Sequence, residues 1–158
     1  MRKFIGISAL ATVAVAAASF GTLANPSKDL AGRWTGGGQI TLSGGGSEAV
    51  KCIATYQVSN GGNGIRQALR CASSSYKIDA VANLTISGSS VSGDWEERTY
   101  STTGGIGGRV TPGGYNLNIS GPTFSAAMQV SASGCKQSIF ITPKGFDISR
   151  ISLSLSKC

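Results

Sequence analysis

The sequence contains no histidine and few charged side chains. Among its 158 residues His is absent, and Asp, Glu, Lys and Arg together make up 13%. The lack of His removes the commonest general base, the commonest metal ligand and every Ser-His or Cys-His nucleophile pair. No C-x-x-C pair is present to build a zinc site. We therefore predict a protein that is not an enzyme and uses no metal and no cofactor.

Helix-forming runs are also scarce beyond the first 24 residues. Segments built from Ala, Leu, Glu and Lys are almost missing there, whereas the chain has 23 Gly and many Ser and Thr residues. Such usage disfavours helices and suits short strands joined by tight turns. The composition therefore predicts an all-β domain.

The first 24 residues have the layout of a secretory signal peptide. Arg2 and Lys3 precede an uncharged apolar stretch over residues 4–20, and a small residue, Ala24, follows. We predict cleavage after Ala24, which leaves residues 25–158 as one domain. Position 25 is not Cys, so the lipid attachment of a bacterial lipoprotein is excluded. We expect a periplasmic or secreted protein without a stable membrane anchor.

The positive charge of the chain is modest and dispersed. The net charge is +7, and it falls when Arg2 and Lys3 leave with the signal peptide. The remaining basic residues stand singly between Lys28 and Lys157, a distribution that serves solubility more often than recognition of a polyanion. We therefore expect no nucleic acid partner, and we expect a monomer.

The four cysteines all lie within the predicted mature domain. In an oxidising compartment they would form two disulfides. Residues 60–63, Asn-Gly-Gly-Asn, are typical of a hairpin turn and lie midway between Cys52 and Cys71. A hairpin folded there sets these two cysteines opposite each other, at a separation close to disulfide geometry. We predict the pairs Cys52–Cys71 and Cys135–Cys158.

Apolar residues alternate along the chain with a period of two. The clearest case is Ile78, Ala80, Ala82, Leu84 and Ile86, which predicts a strand with one face inward. Further runs of this kind, separated by Gly-rich turns, predict eight to ten strands and no helix. Short turns favour an antiparallel up-and-down meander, which removes its two exposed edges by closing into a barrel. A β-sandwich is the alternative.

Residues 29–35, Asp-Leu-Ala-Gly-Arg-Trp-Thr, resemble the Gly-x-Trp opening strand of the calycin barrels, the lipocalins and avidins. The resemblance implies a calycin-like barrel in which Trp34 closes one end. The same stretch is similar to the first strand of the bacterial metalloprotease inhibitors, where a segment before this strand enters the protease cleft. The corresponding segment here is residues 25–28.

A longer stretch, residues 30–72, resembles small uncharacterised secreted proteins of alphaproteobacteria. The shared features are Gly32-Arg33-Trp34, residues 52–56 and the segment that begins at Arg66 and includes Cys71. This resemblance implies bacterial export and carries no activity with it.

Four side chains are candidate ligand contacts: Arg66, Arg70, Trp34 and Trp95. Arg66 and Arg70 share one face of a predicted strand, so they bind an anionic group in the cavity if that face is inward and otherwise reach solvent. Trp34 serves either as a core plug or as a surface for stacking on a ligand. Trp95 is flanked by acidic residues. They indicate either a solvent-facing strand whose Trp belongs to the core or a site with a pair of carboxylates.

These features predict a non-catalytic binding protein. A closed barrel of about eight strands leaves room for side chains or one small ligand, with turn residues and aromatic side chains around its mouth. The alternative is a protease-inhibitor-like or envelope-interaction protein that acts on a protein partner through its N-terminal arm or its loops. A ligand-sized cavity would favour the first function, and a filled interior the second.

Overall fold

The computed structural model of the protein describes residues 16–19 and 25–158. The predicted cleavage after Ala24 and most of the predicted signal peptide lie outside the described residues. Within the described part of the chain, no helix has the length and apolar character needed to cross a membrane.

Ten antiparallel strands form one closed barrel. Each strand pairs with its neighbours along the chain, and the first strand pairs with the last. The strands are β1 (Gly32–Leu42), β2 (Ser47–Ser59), β3 (Gly64–Ala72), β4 (Lys77–Ser87), β5 (Ser90–Glu97), β6 (Thr102–Thr111), β7 (Gly114–Ser120), β8 (Ser125–Ser133), β9 (Lys136–Lys144) and β10 (Ile148–Ser156). The predicted all-β up-and-down barrel is confirmed, and the sandwich alternative is wrong.

The prediction that the domain has no helix is wrong, because the domain contains two short helical turns. A single α-helical turn, α1 (Ser27–Leu30), precedes β1, and a 3-10 turn covers Asn60–Gly62. A single turn is too short to show a helical period in the sequence. Tertiary contacts stabilise α1, because the side chains of Ser27 and Leu30 are buried against the barrel.

Both predicted disulfides are present, Cys52–Cys71 and Cys135–Cys158. Cys52 on β2 lies directly opposite Cys71 on β3, as the symmetry of the hairpin predicts. The turn between them requires positive φ angles, which are 51° at Asn60 and 65° at Gly61. Asn and Gly are the residues that adopt such angles at the lowest cost.

The barrel closes where β1 pairs with β10, and we call this junction the seam. It depends on two inward-facing glycines of β1. A Cβ atom at Gly38 would lie 1.7 Å from the carbonyl oxygen of Ser152, and one at Gly36 would lie 2.2 Å from that of Ser154. The backbones of β1 and β10 therefore approach too closely for any side chain at these positions. Glycine here allows the sharp curvature that closure of the sheet needs.

Side chains fill the interior of the barrel. Trp34, Ile40, Tyr115 and Ile139 are among the most deeply buried. A cavity of about 20 Å³ lies in this interior, next to Tyr56 and Tyr115. A volume of that size holds about one water molecule.

Candidate functional site

One end of the barrel is closed by Trp34 and α1. The Trp34 side chain is 0% exposed, and its Nε1 donates a hydrogen bond of 2.7 Å to the carbonyl oxygen of Leu30. The ammonium group of Lys157 lies 4.9 Å from the centroid of the indole ring, a distance that permits a cation–π interaction. The position of Trp34 agrees with the plug that the calycin resemblance implies.

A buried polar network anchors the segment before α1 to this closed end. The hydroxyl of Ser27 donates to the carbonyl oxygen of Gly62 at 2.6 Å, and the amide nitrogen of Asn25 donates to the same oxygen at 2.9 Å. The hydroxyl of Tyr115 donates to Ser27 Oγ at 3.1 Å. Residues 25–28 are thus held against the barrel, whereas insertion into a protease cleft requires a projecting arm.

The opposite end carries apolar side chains that, apart from the buried Trp95, are only partly covered. We call the following set the apolar mouth: Leu42, Tyr76, Ile78, Trp95, Ile119, Phe124, Ile141, Phe146, Ile148 and Ile151. They come from strand ends and from the β3–β4, β7–β8 and β9–β10 turns, which all lie at this end because the strands are antiparallel. Most of these side chains are half-buried and Phe146 is exposed, so apolar surface reaches solvent at this end.

Three aromatic rings in tilted contact, called the aromatic stack below, run from the buried Trp95 through Phe124 to the exposed Phe146. The ring centroids of Trp95 and Phe124 are 5.3 Å apart, and those of Phe124 and Phe146 are 4.6 Å apart. Trp95 Nε1 donates to the carbonyl oxygen of Ser120 at 3.0 Å, which fixes the indole. Phe146, at the outer end of the stack, is 51% exposed.

Two carboxylates hold the loops around the mouth. Glu97 accepts hydrogen bonds from the backbone N–H groups of Asp79 at 2.8 Å and Tyr100 at 2.7 Å. Burial raises the pKa of Glu97, but these N–H donors outweigh it and the pKa is lowered. Glu48 accepts from the hydroxyls of Ser75 and Ser73, which lower its pKa in the same way.

Acid is therefore expected to release these loops. Because the folded-state pKa of Glu97 is below the reference value of 4.5, its stabilising contribution is present above about pH 4.5 and is lost as the pH falls through the folded-state pKa. The amide proton shifts of Asp79 and Tyr100, followed by NMR, should change with a midpoint below pH 4.5. Glu97→Gln should abolish this transition, and a midpoint above pH 4.5 would contradict the assignment.

The four candidate residues do not form one site. Arg66 and Arg70 point outward from β3: Arg66 donates to the side-chain oxygen of Asn83 at 3.2 Å, and Arg70 lies 3.6 Å from the carboxylate of Asp79. They do not line the interior, so contact with an enclosed ligand is excluded for both. Trp34 and Trp95 lie at opposite ends of the barrel, and of the four only Trp95 belongs to the apolar mouth.

Sequence reasoning did not select Phe124 and Phe146. Both stand in turns, after Gly121-Pro122 and after Gly145, and the expectation that turn residues and aromatic side chains surround the mouth named neither of them. Two turns that each place an aromatic residue at the same end of a meander are a usable signal. The contacts of Phe124 with Trp95 and with Phe146 depend on how the strands pair in the barrel.

A closed ten-strand antiparallel barrel that has one end plugged by a tryptophan defines a calycin-like fold. The structure is similar to that of the S-type phycobiliprotein lyase CPES from Guillardia theta, with a TM-score of 0.59 and 14% sequence identity. The similarity covers 81% of this chain and 87% of the lyase. At this identity the likeness shows the fold alone. No protein-family model and no curated protein matches the chain.

Proposed function

We propose that the protein is a non-catalytic binding protein that holds an apolar group of its ligand on the apolar mouth. The observation that carries this proposal is the aromatic stack that ends in the half-exposed ring of Phe146. Phe124, which itself packs on Trp95, contacts that ring, so little side-chain entropy is lost when a ligand covers it.

The filled interior limits how the ligand binds. A cavity of about 20 Å³ accepts no organic group, so the ligand lies across the mouth and is not enclosed in the barrel. A ring, a short acyl segment or an apolar side chain has a suitable size. The filled interior also favours the alternative predicted from the sequence, and it supports a second candidate function, in which a protein partner docks an apolar side chain on the same surface.

The proposed place of action is the periplasm or the medium. Two disulfides staple the barrel, and such bonds persist in oxidising compartments and are rare in the cytosol. The signal-peptide layout of residues 1–24 supports the same location.

The two tryptophans make the binding site testable. In Trp34→Phe the only indole is at the mouth, and in Trp95→Phe the only indole is at the closed end. A fatty acid brominated on its chain quenches tryptophan on contact. We expect it to quench the fluorescence of Trp34→Phe and to leave that of Trp95→Phe nearly unchanged. Selective quenching at the closed end would contradict the proposed site.

A matched pair of variants tests the aromatic stack. Phe146→Ser should weaken binding of the brominated fatty acid about tenfold, which corresponds to the loss of one well-packed aromatic contact. Tyr100→Ser is the control, because Tyr100 is 62% exposed and lies outside the stack. Equal weakening by both variants would refute a specific role for Phe146. Native mass spectrometry of protein purified from its host separates a small ligand from a protein partner.

A further inference from the structure

The outer surface of the barrel has its charges separated by sign. The outer faces of β9, β10, β1 and β2, which are neighbours across the seam, carry basic side chains and no carboxylate. We call these four outer faces the cationic wall, and its basic residues are Arg33, Lys51, Lys136, Lys144 and Arg150. None of them forms an ion pair with another residue that the structure describes.

The acidic side chains near this wall are placed elsewhere. Asp79, Asp94 and Glu96 face outward on β4 and β5, across the barrel. Glu48 belongs to β2 but has the parity of its inward residues, and its carboxylate accepts hydrogen bonds from hydroxyls of the β3–β4 turn. Asp147 stands in the β9–β10 turn. The cationic wall is therefore complementary to an anionic partner.

A half-exposed aromatic ring stands in the middle of the cationic wall. Phe140 is 50% exposed and shares the outer face of β9 with Lys136 and Lys144, each about 13 Å away along the strand. Phe146, in the turn that follows β9, is exposed to the same extent. Of the three large hydrophobic side chains that are exposed in the described residues, two thus belong to the β9–β10 hairpin.

The cationic wall also contains a groove of about 190 Å³ beside the seam. The outward-facing side chains that line it are Thr35, Lys136, Ser138, Ser154 and Ser156. Serine and threonine hydroxyls donate hydrogen bonds to phosphate oxygens, and a lysine ammonium adds a point charge. The groove therefore suits the phosphate of a lipid head group.

We infer that the cationic wall docks the protein on an anionic lipid bilayer. The negative potential of such a surface attracts lysine and arginine side chains, and its boundary between head groups and acyl chains accepts aromatic rings. A soluble polyanion would neutralise the basic residues but offers no apolar layer to Phe140 and Phe146, so the bilayer is favoured. Docking of this kind is peripheral and reversible, and it differs from a stable anchor.

Co-sedimentation with vesicles tests the docking. Vesicles of phosphatidylcholine with about one-third phosphatidylglycerol should bind the protein about tenfold more tightly than vesicles of phosphatidylcholine alone, and NaCl should weaken this binding. Phe140→Ala should weaken binding to the anionic vesicles about tenfold. Phe140→Trp, which keeps an aromatic ring at the interface, should bind as wild type does. Equal binding to both kinds of vesicle, or wild-type binding by Phe140→Ala, would overturn the inference.

A matched pair of arginines tests where the bilayer docks. Arg150→Gln removes one charge from the cationic wall and should weaken binding to the anionic vesicles about fivefold. Arg109→Gln removes one charge from the outer face of β6, which lies opposite β1 in the barrel, and should leave the binding unchanged. Equal weakening by both variants would mean that net charge alone attracts the protein, and the inference would fail.

Two comparisons separate docking from other kinds of binding. Inorganic polyphosphate and single-stranded oligodeoxythymidylate serve as soluble polyanions, and tighter binding of either than of the anionic vesicles, at equal concentrations of negative charge, overturns the inference. Phe140→Ala should keep its melting temperature and its binding of the brominated fatty acid, because Phe140 lies outside the apolar mouth. If Phe140→Ala loses the fatty acid as well, the ring belongs to the mouth and the cationic wall is not the docking surface.

Discussion

Replacing Trp34 by Ala is expected to lower the melting temperature by roughly 10–20 °C. The side chain is 0% exposed, and the truncation removes the ring, its hydrogen bond to Leu30 and its contact with Lys157. Losing a buried Trp costs about 3–5 kcal/mol, a large part of the about 5–15 kcal/mol that stabilises a domain of this size. Thermal denaturation with both disulfides intact measures the effect.

The control for this variant is Trp34→Phe, which keeps an aromatic ring in the plug and removes the indole N–H. Its melting temperature should lie between those of wild type and Trp34→Ala. A loss of only about 1–2 °C in Trp34→Ala, far below the cost of a core Trp, would contradict the plug. Such a result, combined with lost ligand binding, would assign Trp34 to a ligand site.

Gly38→Ala is expected to destabilise the barrel through its seam. The added Cβ would meet backbone atoms of β10, with Ser152 O at 1.7 Å, and a backbone cannot move aside as a flexible side chain can. Overpacking of a core typically costs about 1–3 kcal/mol, and we expect a loss at or above the upper end of that range. Chemical denaturation monitored by circular dichroism provides the measurement.

Gly44→Ala is the matched control for the seam. Gly44 lies in the β1–β2 turn, and a Cβ atom there would have no neighbour within 4 Å. This variant should be as stable as wild type within about 0.5 kcal/mol. Equal stability of Gly38→Ala and wild type would mean that β1 and β10 can separate without breaking the barrel.

The two ends of the barrel differ in a way that bears on function. At the closed end, Trp34 and Ser27 are fully buried, and Trp34 donates a hydrogen bond to the backbone of α1. At the other end, Phe146 is 51% exposed among the residues that the structure describes. Apolar surface therefore reaches solvent at the end where we propose that the ligand binds.

The sequence alone determined the strands and the disulfide pairing. Alternation such as that of residues 78–86 is local, because successive side chains of a strand point to opposite faces whatever the strand pairs with. The register of Cys52 opposite Cys71 is equally local, since one short turn sets it. These features could be predicted because each depends on residues close together in the chain.

Only the tertiary structure decided where the candidate sites lie. The contacts of Trp95, Phe124 and Phe146 join β5 to two turns that are distant in the chain. Alternation showed that Arg66 and Arg70 share a face but not that this face is outward. The sequence also did not show that the interior is filled. The space inside depends on how closely the strands approach at residues such as Gly38, and closure of the whole barrel sets that distance.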